Sequence, residues 1–360
     1  MRVRYTRVRG DGEPAAAEAL ALAAEALLRL GERPEPEGAG DEERLRAALE
    51  RAAREAGAAE PRELAEAALE RLWREGWIER IGGRGELRLA ARPELLKLAA
   101  LRAWRALLPE ARLQGGTWPR PGVRGPHEPH GPERPWRWGE PLTLDPAATL
   151  KAWLPKGELT ADELRVREGE GGRRRAVALL LDCSHSMVLY GADRFGPAKR
   201  LALALHHGLG REGSRFQVVC FHDVAEAVPP ERLPFLSAQP AHTNTAAALE
   251  EARTWLRRQG DVERRALLVT DGRPTAVPLP GGRVYKNAWG RDPVIERATL
   301  AAAARLRRSG AELDVYLLSD EDAVFERVRE LAGSARGRAY RVDPGRLGRR
   351  VLTDLMRPSR

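Results

Sequence analysis

The stretch that decides the fold is AVALLLDCSHS, residues 176–186. Its first six residues are all apolar, which is the length and character of a strand buried on both faces of a parallel sheet. The run then ends in DCSHS, a D-x-S-x-S pattern of polar side chains. Because ligands bind beyond the carboxyl ends of the strands in open α/β sheets, the stretch predicts a central strand that leads directly into a polar site.

Apolar strands and helical stretches alternate from this point to the end of the chain. Strands are predicted at residues 176–182, 215–221, 265–270, 312–318 and 338–342, and helices at residues 197–208, 245–258, 293–308, 323–331 and 345–356. Strands that alternate with helices at this spacing form a doubly wound, mostly parallel sheet flanked by helices. We therefore expect an α/β domain of Rossmann-like architecture over residues 173–360.

Oxygen-bearing side chains gather at the carboxyl-terminal edge of this predicted sheet. Asp182, Ser184 and Ser186 follow the first strand, Thr243 precedes a helix, and Asp271 ends the strand at 265–270. Two carboxylates and three hydroxyls are hard ligands that suit Mg²⁺ or Mn²⁺, with water in the remaining positions. Such an incomplete protein shell leaves room for one outside oxygen ligand, such as an acidic side chain of a partner.

The order of these elements resembles the von Willebrand factor A (VWA) domain with its metal ion-dependent adhesion site. D-x-S-x-S comes first, a threonine segment follows at residues 243–249, and T-D-G follows at residues 270–272. The resemblance implies that the metal positions are Asp182, Ser184, Ser186, Thr243 and Asp271, with Ser184 and Ser186 as direct ligands. His242 departs from the family pattern, in which a small residue usually precedes the threonine.

Further segments at residues 137–145, 271–275 and 347–352 are similar to bacterial cytosolic proteins of the CoxE type and to the D subunit of magnesium chelatase. That resemblance implies a protein-interaction adaptor that works with a MoxR-like or chelatase-I-like AAA+ ATPase in a chaperone-like or metal-insertion assembly. The 360 residues contain no G-x-x-x-x-G-K-[ST] loop, so nucleotide hydrolysis would belong to the partner. We expect no catalytic activity, although a metal-dependent hydrolase is an open alternative.

Four residues are predicted to form a partner-binding rim around the metal: His185, His222, Tyr285 and Trp289. His185 lies inside the D-x-S-x-S segment, and His222 follows a predicted strand. Tyr285 and Trp289 lie in residues 278–291, a segment too long for a simple connection between a strand and a helix. The alternative is an insertion that folds over its own domain.

Ahead of the α/β domain we expect a helical N-terminal region at residues 1–110, a linker or strap at 111–145 and a lead-in segment at 146–172. Residues 77–89 read as two short strands around a glycine turn. Helices followed by a hairpin fit either a winged-helix-like unit or a small bundle with a packed β-ribbon. The strap is rich in Pro and Gly and carries Trp118, Trp136 and Trp138, so it either covers a domain surface or docks a partner.

The charge balance permits an acidic partner without requiring one. The chain has 61 Lys and Arg residues against 52 Asp and Glu residues, a formal net charge of +9, with both signs mixed along the helices. A nucleic-acid-associated regulator with a basic, winged-helix-like N-terminal region is therefore the alternative function. It requires arginines clustered on one face, which the mixed charges argue against.

Two cysteines, Cys183 and Cys220, are too few for a disulfide framework and lack C-x-x-C spacing. We interpret them as small, buried residues at strand ends, in a protein of a reducing compartment. The first residues lack the apolar core of a signal peptide, and the longest apolar stretches are too short to span a membrane. These observations predict a cytoplasmic protein without a membrane partner.

Overall fold

The computed structural model describes most of the chain. It describes residues 16–30, 40–81, 86–90, 93–112, 133–135, 149, 151–152, 164–167, 175–189, 193–211, 214–260 and 262–355. Most of the predicted strap, including Trp118, Trp136 and Trp138, lies outside the described residues. Within the strap, a short strand β3 (Glu133–Pro135) pairs in antiparallel fashion with β4 (Arg165–Arg167) of the lead-in segment.

Helices and one hairpin form the N-terminal region, as the sequence predicts. They are α1 (Ala16–Arg29), α2 (Asp41–Glu55), α3 (Pro61–Arg74), β1 (Ile78–Ile81), β2 (Glu86–Leu89) and α4 (Pro93–Arg112). The apolar residues at helical spacing face inward, since Leu45, Ala48 and Leu49 of α2 are fully buried. The two strands of the hairpin are antiparallel, with Ile78 opposite Leu89.

The C-terminal half contains the predicted doubly wound sheet. Its six strands are β5 (Arg175–Asp182), β6 (Arg215–Phe221), β7 (Ala225–Val228), β8 (Glu263–Thr270), β11 (Ala311–Leu317) and β12 (Ala339–Arg341). Their order across the sheet is β12-β11-β8-β5-β6-β7, and every pair is parallel except β6 with β7. The apolar run at residues 176–181 thus lies in β5, with β8 and β6 on its two sides.

Helices cover both faces of this sheet. They are α5 (Phe195–Arg211), α6 (Thr245–Arg257), α7 (Pro293–Arg308), α8 (Asp322–Ser334) and α9 (Leu347–Leu355). Alternate residues of β5 point to opposite faces, because Leu179 belongs to the core under α5 and α9 while Leu180 belongs to the core under α6, α7 and α8. Both faces are buried, which explains why β5 is an uninterrupted apolar run.

The N-terminal helices pack on the α5 face and share one apolar core with it. At Gly208 of α5 a Cβ atom would collide with the ring of Trp104 on α4, so glycine allows the two helices to approach closely. The ammonium group of Lys199, which is fully buried on α5, donates hydrogen bonds to the carbonyl oxygens of Leu30 and Pro234. The N-terminal region is therefore built into the α/β domain.

A short hairpin leaves the sheet after β8. It consists of β9 (Ala276–Pro278) and β10 (Val284–Lys286), which pair in antiparallel fashion.

Among the helices that the structure describes, none combines the length and the apolar character that crossing a bilayer would require.

Candidate metal centre

The predicted site lies where β5 and β8 end side by side. These strands are parallel neighbours in register, with Leu181 opposite Val269. Asp182 and Thr270, one residue further along each strand, therefore meet at the carboxyl-terminal edge. Asp182 is fully buried, and its Oδ2 accepts a hydrogen bond of 2.5 Å from the hydroxyl of Thr270. Thr270 is not among the five predicted metal positions.

The D-x-S-x-S segment folds back on its own aspartate. The backbone N–H of Ser184 donates to Oδ1 of Asp182 at 2.9 Å. The segment then enters a short 3₁₀ turn at His185–Val188, which brings the Oγ atoms of Ser184 and Ser186 to 3.1 Å from each other. The alternating polar positions thus converge, as the pattern predicts.

Asp271 closes the chain of contacts from the neighbouring strand. The hydroxyl of Ser186 donates to Oδ1 of Asp271 at 2.7 Å. Four of the five predicted metal positions, Asp182, Ser184, Ser186 and Asp271, are therefore joined by a continuous run of covalent and hydrogen bonds.

Thr243, the fifth predicted position, lies on the adjoining loop. Its backbone N–H donates to Oγ1 of Thr275 at 3.0 Å, and its carbonyl oxygen accepts from the N–H of Thr275 at 2.9 Å. Because Thr275 follows Asp271 by four residues, this double contact ties Thr243 to the metal loop. The next residue, Asn244, caps α6, because its side-chain amide oxygen accepts a hydrogen bond of 3.1 Å from the N–H of Ala247.

Arg194 is a member of the site that the sequence reasoning missed. Its Nη1 lies 3.1 Å from Oδ2 of Asp271 and donates to the carbonyl oxygen of Ser186 at 3.3 Å. Only about a fifth of the Arg194 side chain is exposed. Arg194 lies eight residues beyond Ser186 and belongs to no pattern, so no sequence signal marked it.

The two carboxylates are held in an environment that disfavours their charge. Burial and, second to it, the nearby charge of Asp271 together raise the pKa of Asp182 to about 6, although the hydrogen bonds from Ser184 and Thr270 oppose this shift. Burial also raises the pKa of Asp271, although the hydroxyl of Ser186 and the guanidinium of Arg194 oppose this shift. The site therefore holds less positive charge than two buried carboxylates require.

This donor set fits a hard divalent cation. Carboxylate and hydroxyl oxygens are the ligands that Mg²⁺ and Mn²⁺ prefer, and a cation would relieve the repulsion between Asp182 and Asp271. No group of three or more His, Cys, Asp or Glu side chains suited to a metal occurs in the described part of the chain. The fit therefore depends on the serine hydroxyls together with the two aspartates.

The structure corrects the interpretation of the two cysteines as separate buried thiols. Cys183 and Cys220 form a disulfide with an S–S distance of 2.07 Å, which links the D-x-S-x-S segment to β6. Both residues are buried at the ends of adjacent strands, where a spacing of 37 residues in sequence becomes a Cα–Cα distance of 6.1 Å. Because disulfides are rare in reducing compartments, the cysteine content no longer supports that assignment.

The predicted rim residues lie around the same edge of the sheet. His185 is exposed on the 3₁₀ turn, whereas His222 is half-buried and its Nδ1 atom has no hydrogen-bond partner. The carbonyl oxygen of His222 accepts from the N–H of Asn244 at 2.8 Å, so this histidine borders the threonine loop.

The β9–β10 hairpin presents the two aromatic rim residues. The N–H of Asn287 donates to the carbonyl oxygen of Thr275 at 2.8 Å, which anchors the end of the hairpin at the metal loop. Tyr285 is 37% exposed and Trp289 is 89% exposed. Tyr285 and Trp289 thus point away from the apolar core, and the alternative of an insertion folded over its own domain does not describe Trp289.

Solved structures with a similar fold include VWA-type domains. The vWF domain of the type V pili tip protein Mfa5 from Porphyromonas gingivalis is 13% identical, with a TM-score of 0.40, over 52% of this chain and 98% of that chain. A von Willebrand factor type A protein from Catenulispora acidiphila is 18% identical, with a TM-score of 0.35, over 51% of this chain and 43% of that chain.

The protein Rv0959 of Mycobacterium tuberculosis is similar over a longer stretch of sequence. It is 29% identical over 326 residues, which is 86% of this chain and 47% of the relative. The chain therefore spans about half the length of the curated relatives that it matches. A family model described as "Rv0959-like protein, vWA domain" matches residues 175–356, just over half of the chain. The protein belongs to this Rv0959-like family of vWA domain proteins.

Proposed function

We propose that the protein is a divalent-metal-dependent interaction adaptor without catalytic activity of its own. The observation that carries this proposal is the pair of buried carboxylates, Asp182 and Asp271, which Ser184 and Ser186 link at the carboxyl-terminal edge of the sheet through the N–H of Ser184 and the two serine hydroxyls. A site of this kind is deficient in positive charge and rich in hard oxygen ligands.

Asp182, Ser184, Ser186, Thr243 and Asp271 would hold Mg²⁺ or Mn²⁺. When bound, the cation supplies an open coordination position that accepts a carboxylate oxygen from a partner. The protein residues orient this position. Thr270 and the N–H of Ser184 fix the carboxylate of Asp182, and the hydroxyl of Ser186 fixes that of Asp271.

The rim residues would enlarge the contact with the partner. Asn287 accepts from the N–H of Trp289 at 2.9 Å and donates from its amide to Asp292 at 2.8 Å, while the hydroxyl of Tyr285 donates to the same carboxylate at 2.8 Å. These bonds hold the loop in one conformation and leave the Trp289 ring in solvent. Exposed, preorganised aromatic rings are typical anchors of protein interfaces.

The proposed partner is a MoxR-like or chelatase-I-like AAA+ ATPase that presents an acidic side chain. The resemblance to CoxE-type proteins and to the D subunit of magnesium chelatase supports this choice, as does the lack of a phosphate-binding loop within these 360 residues. The assembly would be cytoplasmic, because such a partner consumes ATP.

The N-terminal hairpin supports an adaptor over a nucleic-acid regulator. The hairpin arginines that the structure describes are paired with carboxylates, Arg80 with Glu42 at 2.6 Å and Arg88 with Glu79 at 2.6 Å. Arg232 of the α/β domain hydrogen-bonds to the carbonyl oxygen of Leu87, so the hairpin is used as an internal contact. A basic face for nucleic acid would need unpaired cations there.

A pull-down from native cytosol tests the proposal. The intact protein is used as bait in Mg²⁺ and in EDTA, beside Asp182→Ala and an exposed control variant, Asp322→Asn. We expect an AAA+ ATPase to be recovered by the wild type and the control in Mg²⁺ only. Recovery of the same proteins in all conditions would contradict the proposal, because the metal site would then not be the docking point.

A further inference from the structure

We propose that Arg194 is a built-in counter-ion of the metal centre, which competes with the divalent cation for Asp271 and thereby sets the metal concentration at which the site fills. This inference rests on the proposed function, because it assigns a regulatory residue to the same site. The proposed function names residues that hold the cation, whereas Arg194 would oppose its binding.

The contacts of Arg194 place its positive charge on a predicted metal ligand. Oδ2 of Asp271 lies 3.1 Å from Nη1 of Arg194, and Oδ1 of the same carboxylate accepts from Ser186. Both oxygens of Asp271 are therefore engaged. A divalent cation that binds this carboxylate must weaken or replace the contact with the guanidinium, since the two positive charges repel each other at short range.

Arg194 is held at the site by its own backbone. Its N–H donates to the carbonyl oxygen of Met187 at 3.1 Å, which anchors the start of α5 to the 3₁₀ turn of the metal loop. The guanidinium also donates to the carbonyl oxygen of Ser186 at 3.3 Å. A long side chain pinned at both ends loses little further entropy when it forms the ion pair, so the pair is an effective competitor.

The same contact stabilises the fold before the metal binds. The side chain of Asp271 is only 3% exposed and lies close enough to Asp182 to raise the pKa of that residue. A buried carboxylate without a counter-charge is strongly destabilising. Arg194 thus neutralises part of the negative charge at the site in the absence of metal. When the cation binds, it neutralises this charge instead.

If Arg194 has a purely structural role, the expected change in metal affinity on its removal has the opposite sign. If Arg194 served only to orient Asp271 for the metal, its removal would weaken metal binding and lower stability under all conditions. Competition requires that removal of Arg194 strengthens metal binding and lowers stability only when the metal is withheld.

Isothermal titration calorimetry with MgCl₂ alone separates these cases. The proteins are the full-length wild type, Arg194→Gln, Arg194→Lys and the control Arg273→Gln. Arg273 is close to Asp271 in sequence, is exposed, and acts electrostatically on Glu296. We expect the dissociation constant to fall on the order of tenfold in Arg194→Gln, the size of one charge-assisted hydrogen bond, with a smaller fall in Arg194→Lys and no change in the control.

Thermal unfolding by circular dichroism provides the second readout. We expect Arg194→Gln to unfold at a lower temperature than the wild type in EDTA, and the difference to close in saturating Mg²⁺. A variant that binds Mg²⁺ as the wild type does, or more weakly, would overturn the inference and leave the proposed metal site intact. If neither the wild type nor Arg194→Gln binds Mg²⁺, both the inference and the proposed function are wrong.

Discussion

Two buried charge clusters lie at different positions along the same sheet, and they balance their charges differently. In the metal centre, the guanidinium of Arg194 contacts Asp271, whereas Asp182 is held only by the N–H of Ser184 and the hydroxyl of Thr270 among the hydrogen bonds described. In the second cluster, Arg265 of β8 donates to Asp314 of β11 at 2.5 Å, and Arg350 donates to Asp354 of α9 at 2.9 Å.

The second cluster is a structural device. The guanidinium of Arg265 also donates to the carbonyl oxygen of Asp354 at 3.3 Å, and the hydroxyl of the fully buried Tyr316 lies 3.3 Å from the Asp354 carboxylate. These bonds fasten α9 to the sheet. A buried acid with its own arginine serves the fold, whereas a surplus of buried acids favours a ligand of positive charge.

The largest effect is expected when the balanced cluster is broken. Asp314→Asn removes the carboxylate that lies 2.5 Å from the buried guanidinium of Arg265 and leaves it, among its described contacts with carboxylates, only the longer one of 3.9 Å with Glu263. We expect the free energy of unfolding to fall by about 3 to 5 kcal/mol, measured by urea denaturation in EDTA. The exposed variant Asp322→Asn should change it by less than about 0.5 kcal/mol, and a similar loss in both variants would contradict the comparison.

The same substitution in the metal centre should act in the opposite direction. Asp182→Asn removes a buried charge that is repelled by Asp271, and its amide can still pair with Ser184 and Thr270. We expect the free energy of unfolding in EDTA at pH 7.5 to rise by roughly 1 to 3 kcal/mol, and the stabilisation by Mg²⁺ to disappear. A loss of stability like that of Asp314→Asn would refute the distinction between the clusters.

The pH dependence of stability reports the buried charge of Asp182 directly. The pKa of Asp182 is about 6 in the folded protein against 3.8 for an ordinary aspartate, so the folded state binds the proton more tightly. The associated stability is fully present below about pH 4 and is lost as the pH rises to about 6. We expect the wild type to lose stability relative to Asp182→Asn across this interval in EDTA, and parallel curves for the two proteins would disprove the assignment.

The smallest effect on stability is expected at the exposed rim. Trp289→Ala removes a side chain that is 89% exposed, so the free energy of unfolding should change by less than about 0.5 kcal/mol. Recovery of the partner in Mg²⁺ should nevertheless fall severalfold, whereas Val294→Ala, at a position 48% exposed on α7, should have no effect. Undiminished recovery with Trp289→Ala would remove this residue from the interface.

The fold and the core of the site are predictable because they follow local rules. The apolar run at 176–181 specifies a buried strand, and the direction of parallel strands brings Asp182 and Asp271 to one edge. The sequence does not predict Arg194, because a guanidinium can reach its carboxylate from any loop that passes within its length. Nor does it predict the Cys183–Cys220 disulfide, which depends on β5 and β6 being neighbours in register.

The α/β class, the five main strands with their helices and the oxygen-bearing side chains at the strand ends thus follow from the sequence alone, since each depends on the spacing of residues close along the chain. The strands β7, β9 and β10 were not predicted. Tertiary structure decided the charge balance of the metal centre, the disulfide behind it and the packing of the N-terminal helices on α5. These features join residues that are far apart in sequence, and only the packing of the sheet and helices determines which of them meet.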